Sequence, residues 1–270
     1  MDFKYYSIPK GAYTGYSLIW AGFLFFFQTL SPLYAFPKKQ FDFTQMSWLH
    51  PFFTITGGLS KISNPASQNY FPEELCFFNY QPLHPNSQFL IGGTIGTELA
   101  FSHYYLHAID LGLSYYEPKA FSQKGLLNQG ADIFSTSYYQ YAYTIKSRQV
   151  MVESKFLFKV NDKILPYLST GIGQAYNKAG PYYTTVPPLL EFTPIFPNQK
   201  QSHLSYMLGI GVDLILGKTG FRLGAGYRYN NPGSVNLGRG QLDNVPIPFT
   251  LKQHLYNNQF ILQASYFLPY

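Results

Sequence analysis

Charge is scarce in this chain. Asp, Glu, Lys and Arg make up 12% of its 270 residues, against about 25% in a typical soluble domain. A water-facing surface of this size needs more charge than that, so part of the surface is expected to meet something other than water. Cysteine is reduced to Cys76, which excludes an intrachain disulfide and is read as an incidental thiol. Beyond the N-terminus there is no apolar run of about 20 residues, which excludes a helical membrane span there. The 19 basic residues give a formal charge of +6 but are dispersed. No Lys/Arg cluster of the nucleic-acid kind forms, so no nucleic-acid partner is expected. There is no Walker loop and no zinc-type Cys/His spacing, and no cofactor or metal site is expected. The six histidines (His50, His84, His103, His107, His203 and His254) are scattered. A hydrolase needs Ser, His and a carboxylate to converge, and no such grouping is visible, so no catalytic residues are assigned.

What the chain has is aromatic residues and rhythm. Tyr and Phe number 25 each. From His203 to Asn230 hydrophobicity alternates almost without error. Leu204, Tyr206, Leu208, Ile210, Val212, Leu214 and Leu216 share one parity, with Ser205, Met207, Gly209, Gly211 and Asp213 between them. After Gly217-Lys218-Thr219-Gly220, the residues Phe221, Leu223, Ala225, Tyr227 and Tyr229 alternate with Arg222, Gly224, Gly226, Arg228 and Asn230. A period of two means β-strands with one apolar and one polar face, here joined by a tight turn. The Gly-x-Gly triplets in these strands are read as strand packing, not nucleotide binding.

Three segments are expected. Residues 1–35 read as a signal peptide: Lys4 and Lys10 precede an apolar core from Ser17 to Leu30, and cleavage is placed near Ala35. Residues 36–50 lack a clean period and read as a periplasmic lead-in. Residues 51–270 form the folded domain.

Within it, eight strands are expected near 51–61, 89–101, 105–116, 138–160, 164–176, 204–216, 221–230 and 254–270. In the fourth, Tyr139, Tyr141, Tyr143 and Ile145 keep odd parity, whereas Val150, Val152, Phe156 and Phe158 keep even parity. That phase change near 146–149 predicts a β-bulge. Connections alternate in length. The first, third, fifth and seventh run to about 20 residues or more, and the others to about three. Antiparallel strands then gather all long loops at one end and all tight turns at the other.

The fold class is all-β: an eight-stranded antiparallel up-and-down transmembrane β-barrel. A soluble barrel would bury the apolar face. Here the polar face is rich in Gly and Ser, as a crowded interior requires. Tyr105, Tyr115, Tyr176, Tyr206, Tyr227, Tyr229 and Tyr266 recur near strand ends, as interfacial girdles do. Long extracellular loops and short periplasmic turns complete the pattern.

On these features the chain resembles the small eight-stranded outer-membrane barrels of Gram-negative bacteria, the OmpA/OmpX and opacity-protein kind. The C-terminal Gln263-x-Ser265-x-x-Leu268-x-Tyr270 is similar to the assembly signal of such proteins, with Ser for the usual Gly and Tyr for the commoner Phe. The resemblance implies residence in the cell outer membrane and recognition by the barrel-assembly machinery. It also implies a bilayer and lipopolysaccharide as surroundings, and a possible host or surface protein as loop partner. Some barrels of this kind modify lipid A, but His254 lacks the nearby Ser that the deacylases carry.

By parity Glu98, Asp110, Glu153, Lys155, Lys159, Asp213, Arg222 and Arg228 face inward. Eight strands leave a lumen about wide enough for side chains to fill, and buried charges must be paired. A closed salt-bridge network centred on Arg222 and Arg228 is expected. Function is then expected in the loops, as a structural, adhesive or host-interaction role. A small pore for ions or solutes and a lipid A-modifying enzyme are the alternatives.

Overall fold

A computed structural model describes residues 49–268 except 64, 74–75, 86, 102–105, 131–135, 186–192, 218 and 243. The expected signal peptide, all but the last two residues of the lead-in, the Ser102-His103-Tyr104 turn, Tyr105 and the terminal Tyr270 lie outside the described residues. In chain order the strands are β1 (Leu49–Ile62), β2 (Gln68–Glu73), β3 (Cys76–Pro82), β4 (Gln88–Ala100) and β5 (Leu106–Pro118). Then come β6 (Phe121–Gly130), β7 (Thr136–Phe158), β8 (Ile164–Thr184), β9 (Gln199–Ile215) and β10 (Phe221–Asn231). The last are β11 (Ser234–Asn236), β12 (Gln241–Leu242), β13 (Val245–Pro246), β14 (Lys252–His254) and β15 (Asn257–Phe267).

Eight of these close a ring. β1, β4, β5, β7, β8, β9, β10 and β15 each pair antiparallel with the next, and β15 pairs back onto β1, where Thr54 faces Ser265. Every ring strand follows its neighbour in the chain, so the barrel is up-and-down. Closure pairs every backbone edge of the ring, which a sheet in lipid requires.

Alternation then separates two environments. On β1, Phe53, Ile55 and Leu59 point out while Thr54, Thr56 and Ser60 are buried inside. On β9, Leu204, Leu208, Ile210 and Leu214 are exposed while Ser205, Met207 and Asp213 are buried. The outside is therefore an apolar belt and the inside a polar core, the reverse of a soluble barrel. Cross-strand aromatic pairs rim the belt. Phe221, Tyr266 and Phe53 form a row near the turns, with ring centroids 4.7 and 5.7 Å apart. Tyr227 and Phe260 pack at 5.3 Å toward the long connections.

The short turns have local causes. Asn161 Oδ1 accepts from the backbone N–H groups of Lys163 and Ile164 at 2.9 and 2.7 Å. In the β9–β10 turn, Gly217 and Gly220 have φ of 61° and 74°, left-handed values that favour glycine. Thr219 Oγ1 donates to Leu216 O at 2.5 Å and pins the loop.

The long connections are not simple loops. β2 and β3 form a hairpin between β1 and β4, and β3 pairs with β6. β6 carries on along the edge of β7 that β5 leaves. Tyr116 faces Gln149 and Phe121 faces Ile145, so five steps along β5–β6 match four along β7. The extra residue near 118–120 is a β-bulge. Against β8 the register shifts between Tyr143 and Ile145, where β8 carries the extra residue, and pairing is then continuous through 146–149, which corrects the bulge expected there. β7 keeps its odd residues inward from Tyr141 to Leu157. Its hydrophobic phase flips because the surroundings invert. Within the belt, odd positions meet the polar core and even ones meet lipid. Above it, odd positions meet an apolar core and even ones meet water.

Candidate functional site

The barrel interior is built from side chains of all eight ring strands. Near the turn end, Arg222 Nη2 donates to Glu98 Oε2 at 2.5 Å, and its Nη1 lies 3.8 Å from Asp110 Oδ2. Its guanidinium stacks 4.0 Å from the Phe267 ring. His50 Nδ1 comes within 3.6 Å of Glu98 Oε1. Sequence reasoning missed His50 by placing it in the lead-in. Its one signal was even parity with Phe52 and Thr54.

At mid-height Lys155 Nζ donates to both Asp213 carboxylate oxygens, at 2.7 and 2.9 Å, and to Gln263 Oε1 at 3.2 Å. The ammonium also sits 4.0 Å over the Tyr167 ring. Gly211 and Gly226 make room for that ring: a Cβ on either would collide with the Tyr167 phenol. Glu153 accepts from Ser114 Oγ at 2.7 Å and from the Tyr116 hydroxyl at 2.6 Å. Arg228, 1% exposed, is the highest of the interior cations. It donates to Gln259 Oε1 at 2.5 Å and stacks 3.8 Å over the Tyr116 ring.

Seven of the eight expected interior charges therefore lie inside: Glu98, Asp110, Glu153, Lys155, Asp213, Arg222 and Arg228. Two points differ from expectation. Lys159 is outside, because β7 ends at Phe158; it pairs at 2.8 Å with Asp162 in the turn. Arg228 makes no ion pair among the described residues. An aromatic ring stands in for a carboxylate there, and that ring's hydroxyl leads on to Glu153. A guanidinium suits such stacking because it is planar and weakly hydrated.

The core is full. A cavity of about 20 Å³ lies between Thr54, Thr94, Asp110, Glu153, Lys155 and Gln263, enough for about one water. Of the expected assembly signal, Gln263 and Ser265 face this core and Leu268 faces outward.

Above the belt stands a second core. Phe78 and Tyr80 from β3, Leu127 from β6, Tyr141 and Tyr143 from β7, Phe196 between β8 and β9, and Leu237 and Leu251 after β10 are all buried together. Phe249 stacks on Tyr70 and Tyr80, at 4.8 and 5.8 Å, and meets Phe196 edge-on at 6.0 Å. Hydrogen bonds tie the four long connections to one another. Gln68 Nε2 donates to Lys252 O at 2.8 Å, and Lys252 N donates to Gln68 Oε1 at 3.0 Å. Ile195 and Gln241 exchange backbone bonds at 2.9 and 2.8 Å, and Thr193 Oγ1 donates to Gln129 Oε1 at 3.0 Å. Burial pushes the Tyr80 phenol well above its ordinary value, with Tyr182 adding to the effect. Many aromatics of the long connections are thus structural. Phe71, Leu83, Tyr138, Tyr183, Ile195 and Val245 remain exposed.

Among the described residues, one Ser–His contact is seen. His203 Nε2 lies 3.4 Å from Ser234 Oγ and 3.3 Å from Gln201 Oε1. Both partners share one ring nitrogen, whereas a triad needs the nucleophile on one nitrogen and an orienting group on the other.

No protein-family model matches the sequence, and no curated protein matches it significantly. The comparison with solved structures returns outer-membrane proteins at low similarity. The outer membrane protein OprG from Pseudomonas aeruginosa is 12% identical over 81% of this chain and 96% of its own, with a TM-score of 0.47. Neisserial surface protein A is 11% identical over 80% and 96%, with a TM-score of 0.40. The outer membrane protease OmpT from Escherichia coli is 8% identical over 82% and 96%, with a TM-score of 0.43. At such distances none transfers a residue role. Ring closure, the apolar belt and the polar core make this an eight-stranded up-and-down β-barrel of the transmembrane kind.

Proposed function

We propose that this protein is a surface-displayed outer-membrane barrel whose spanning part is a closed scaffold and whose working part is the head at the loop end. The observation that carries this reading is the pairing of a filled, ion-paired interior with four long connections knit into one core. A scaffold with so little internal space favours presentation over conduction. An ordered head offers a preformed surface, and a preformed surface binds without an ordering cost. Phe71, Tyr138, Tyr183, Ile195 and Val245 on its outside are suitable contact side chains. The role is adhesive or host-directed, or structural in the cell envelope.

The test is adhesion of cells displaying the full chain, compared with a variant whose residues 66–84 and 120–134 are replaced by short turns. Loss of adhesion, with the folded barrel still in outer-membrane fractions, is expected. Unchanged adhesion would refute the head as the binding part. Stable large single-channel openings from the purified protein would refute the closed scaffold.

A further inference from the structure

The outer wall carries a feature that neither the core nor the head explains. Lys146 on β7 faces Lys178 on β8, and Lys178 faces Lys200 on β9. All three are exposed on the same side of the sheet. Directly opposed like charges destabilise a sheet, and neighbouring strands lie only about 4.8 Å apart. Three lysines in one row therefore call for an anion. The next outward row is Arg148, Tyr176 and Ser202, so a fourth cation stands beneath the first. Among the described side chains, one carboxylate, Glu117, lies on this wall. It is bonded to Arg148 Nε at 2.9 Å and accepts from the Tyr115 hydroxyl at 2.6 Å, and Lys146 adds to its field at longer range. Glu98, Asp110, Glu153 and Asp213 are sealed inside, and Asp162 is in a turn at the other end.

What lies below the row selects the anion. Four residues down the strands, about 13 Å, come Val150, Gln174 and Leu204, and then Val152, Ile172 and Tyr206. Ile172, Gln174 and Leu204 line an open furrow on this face. Cationic, polar and apolar rows thus follow one another down the strands from the loop end. A soluble anion would use the first row alone. A lipid with a phosphorylated headgroup uses all of them, with phosphates on the lysines, headgroup hydroxyls near Tyr176, Gln174 and Ser202, and an acyl chain in the furrow.

We propose that the outer wall at Lys146, Lys178 and Lys200 is a binding site for a multiply phosphorylated lipid of the leaflet at the loop end. The leaflet rests on the outer-membrane reading, which membrane fractionation tests separately from binding. The experiment measures equilibrium binding of bis-phosphorylated lipid A to the full chain in detergent. It is repeated with lipid A stripped of phosphate, with millimolar inorganic phosphate as competitor, and with the K146Q/K178Q/K200Q variant. The lysines are solvent-exposed, so the variant is expected to fold, as heat-modifiable gel migration will show. Affinity should fall about fivefold per lysine, on the order of a hundredfold for the three. Stripped lipid should bind the natural chain as weakly as the intact lipid binds the variant. Leu204→Ser should weaken lipid binding several-fold with the lysines intact. Equal binding by the variant, equal binding of both lipids, or full displacement by inorganic phosphate would each overturn the proposal.

Discussion

Lys155→Met is the sharpest probe of the interior. Lys155 and Asp213 have side chains 9% and 2% exposed and are joined through both carboxylate oxygens. Methionine keeps the length of the lysine stem but removes the charge. Asp213 then faces a closed core, wedged so tightly that a Cβ on Gly224 would touch its Oδ1. Breaking a buried pair by removing one partner costs about 3–5 kcal/mol, mostly from the stranded charge. The ammonium's hydrogen bond to Gln263 and its place over Tyr167 are lost as well. If the stranded carboxylate is the cause, adding Asp213→Asn to Lys155→Met removes it and restores more than half of the loss. The assay is reversible urea unfolding of the refolded barrel in lipid vesicles at neutral pH, followed by β-sheet circular dichroism, for both single variants and the double. A cost under about 1 kcal/mol for Lys155→Met, or a double variant no more stable than Lys155→Met, would refute the reasoning. The first outcome would mean that water reaches Asp213. The second would mean that the loss is one of packing.

Three other outcomes follow from the same structure. Phe196→Ala removes a fully packed ring from the head and should cost about 3–5 kcal/mol there; limited proteolysis should cut the long connections while the barrel stays heat-modifiable, and protease resistance equal to the natural chain would count against a shared head core. Gly211→Val drives a side chain into the Tyr167 ring and should destabilise the barrel by about 1–3 kcal/mol in the same urea assay, whereas an unchanged midpoint would show that the ring is free to move. In alkali, the unfolded chain loses phenolic protons near pH 10 while buried Tyr80 keeps its own. The folded head then holds more protons than the unfolded one, so its stability is full below about pH 10 and falls as pH rises beyond it. Absorbance at 295 nm should show these tyrosines ionising late and together as the head opens; smooth titration of all tyrosines near pH 10 would contradict their burial.

How much was legible depended on whether one environment held along a strand. In β9 and β10 alternation runs unbroken through the belt, so Leu204–Leu216 and Phe221–Tyr229 declared their faces in the sequence. Seven interior charges followed from parity alone, because a two-residue period leaves no freedom once one face is assigned. In β7 the same logic misread the chain. Tyr141, Tyr143 and Ile145 share parity with Glu153 and Lys155, and local pattern cannot tell a bulge from a change of surroundings. The head was hidden for a related reason. Residues 62–88 and 231–253 look like loops because their strands are short and their partners distant, as with Gln68 and Lys252.

By itself, then, the sequence determined the strand period, the sidedness of each strand within the belt, and the alternation of long and short connections. These rest on local sterics and on the preference of apolar side chains for lipid, and both can be read residue by residue. Tertiary structure alone decided that Arg228 rests on Tyr116, that Lys159 falls outside, that the long connections share a core, and that Lys146, Lys178 and Lys200 line up in one row. Each of these depends on register between strands far apart in the chain. Register is set by closure of the whole ring, and no local pattern carries it.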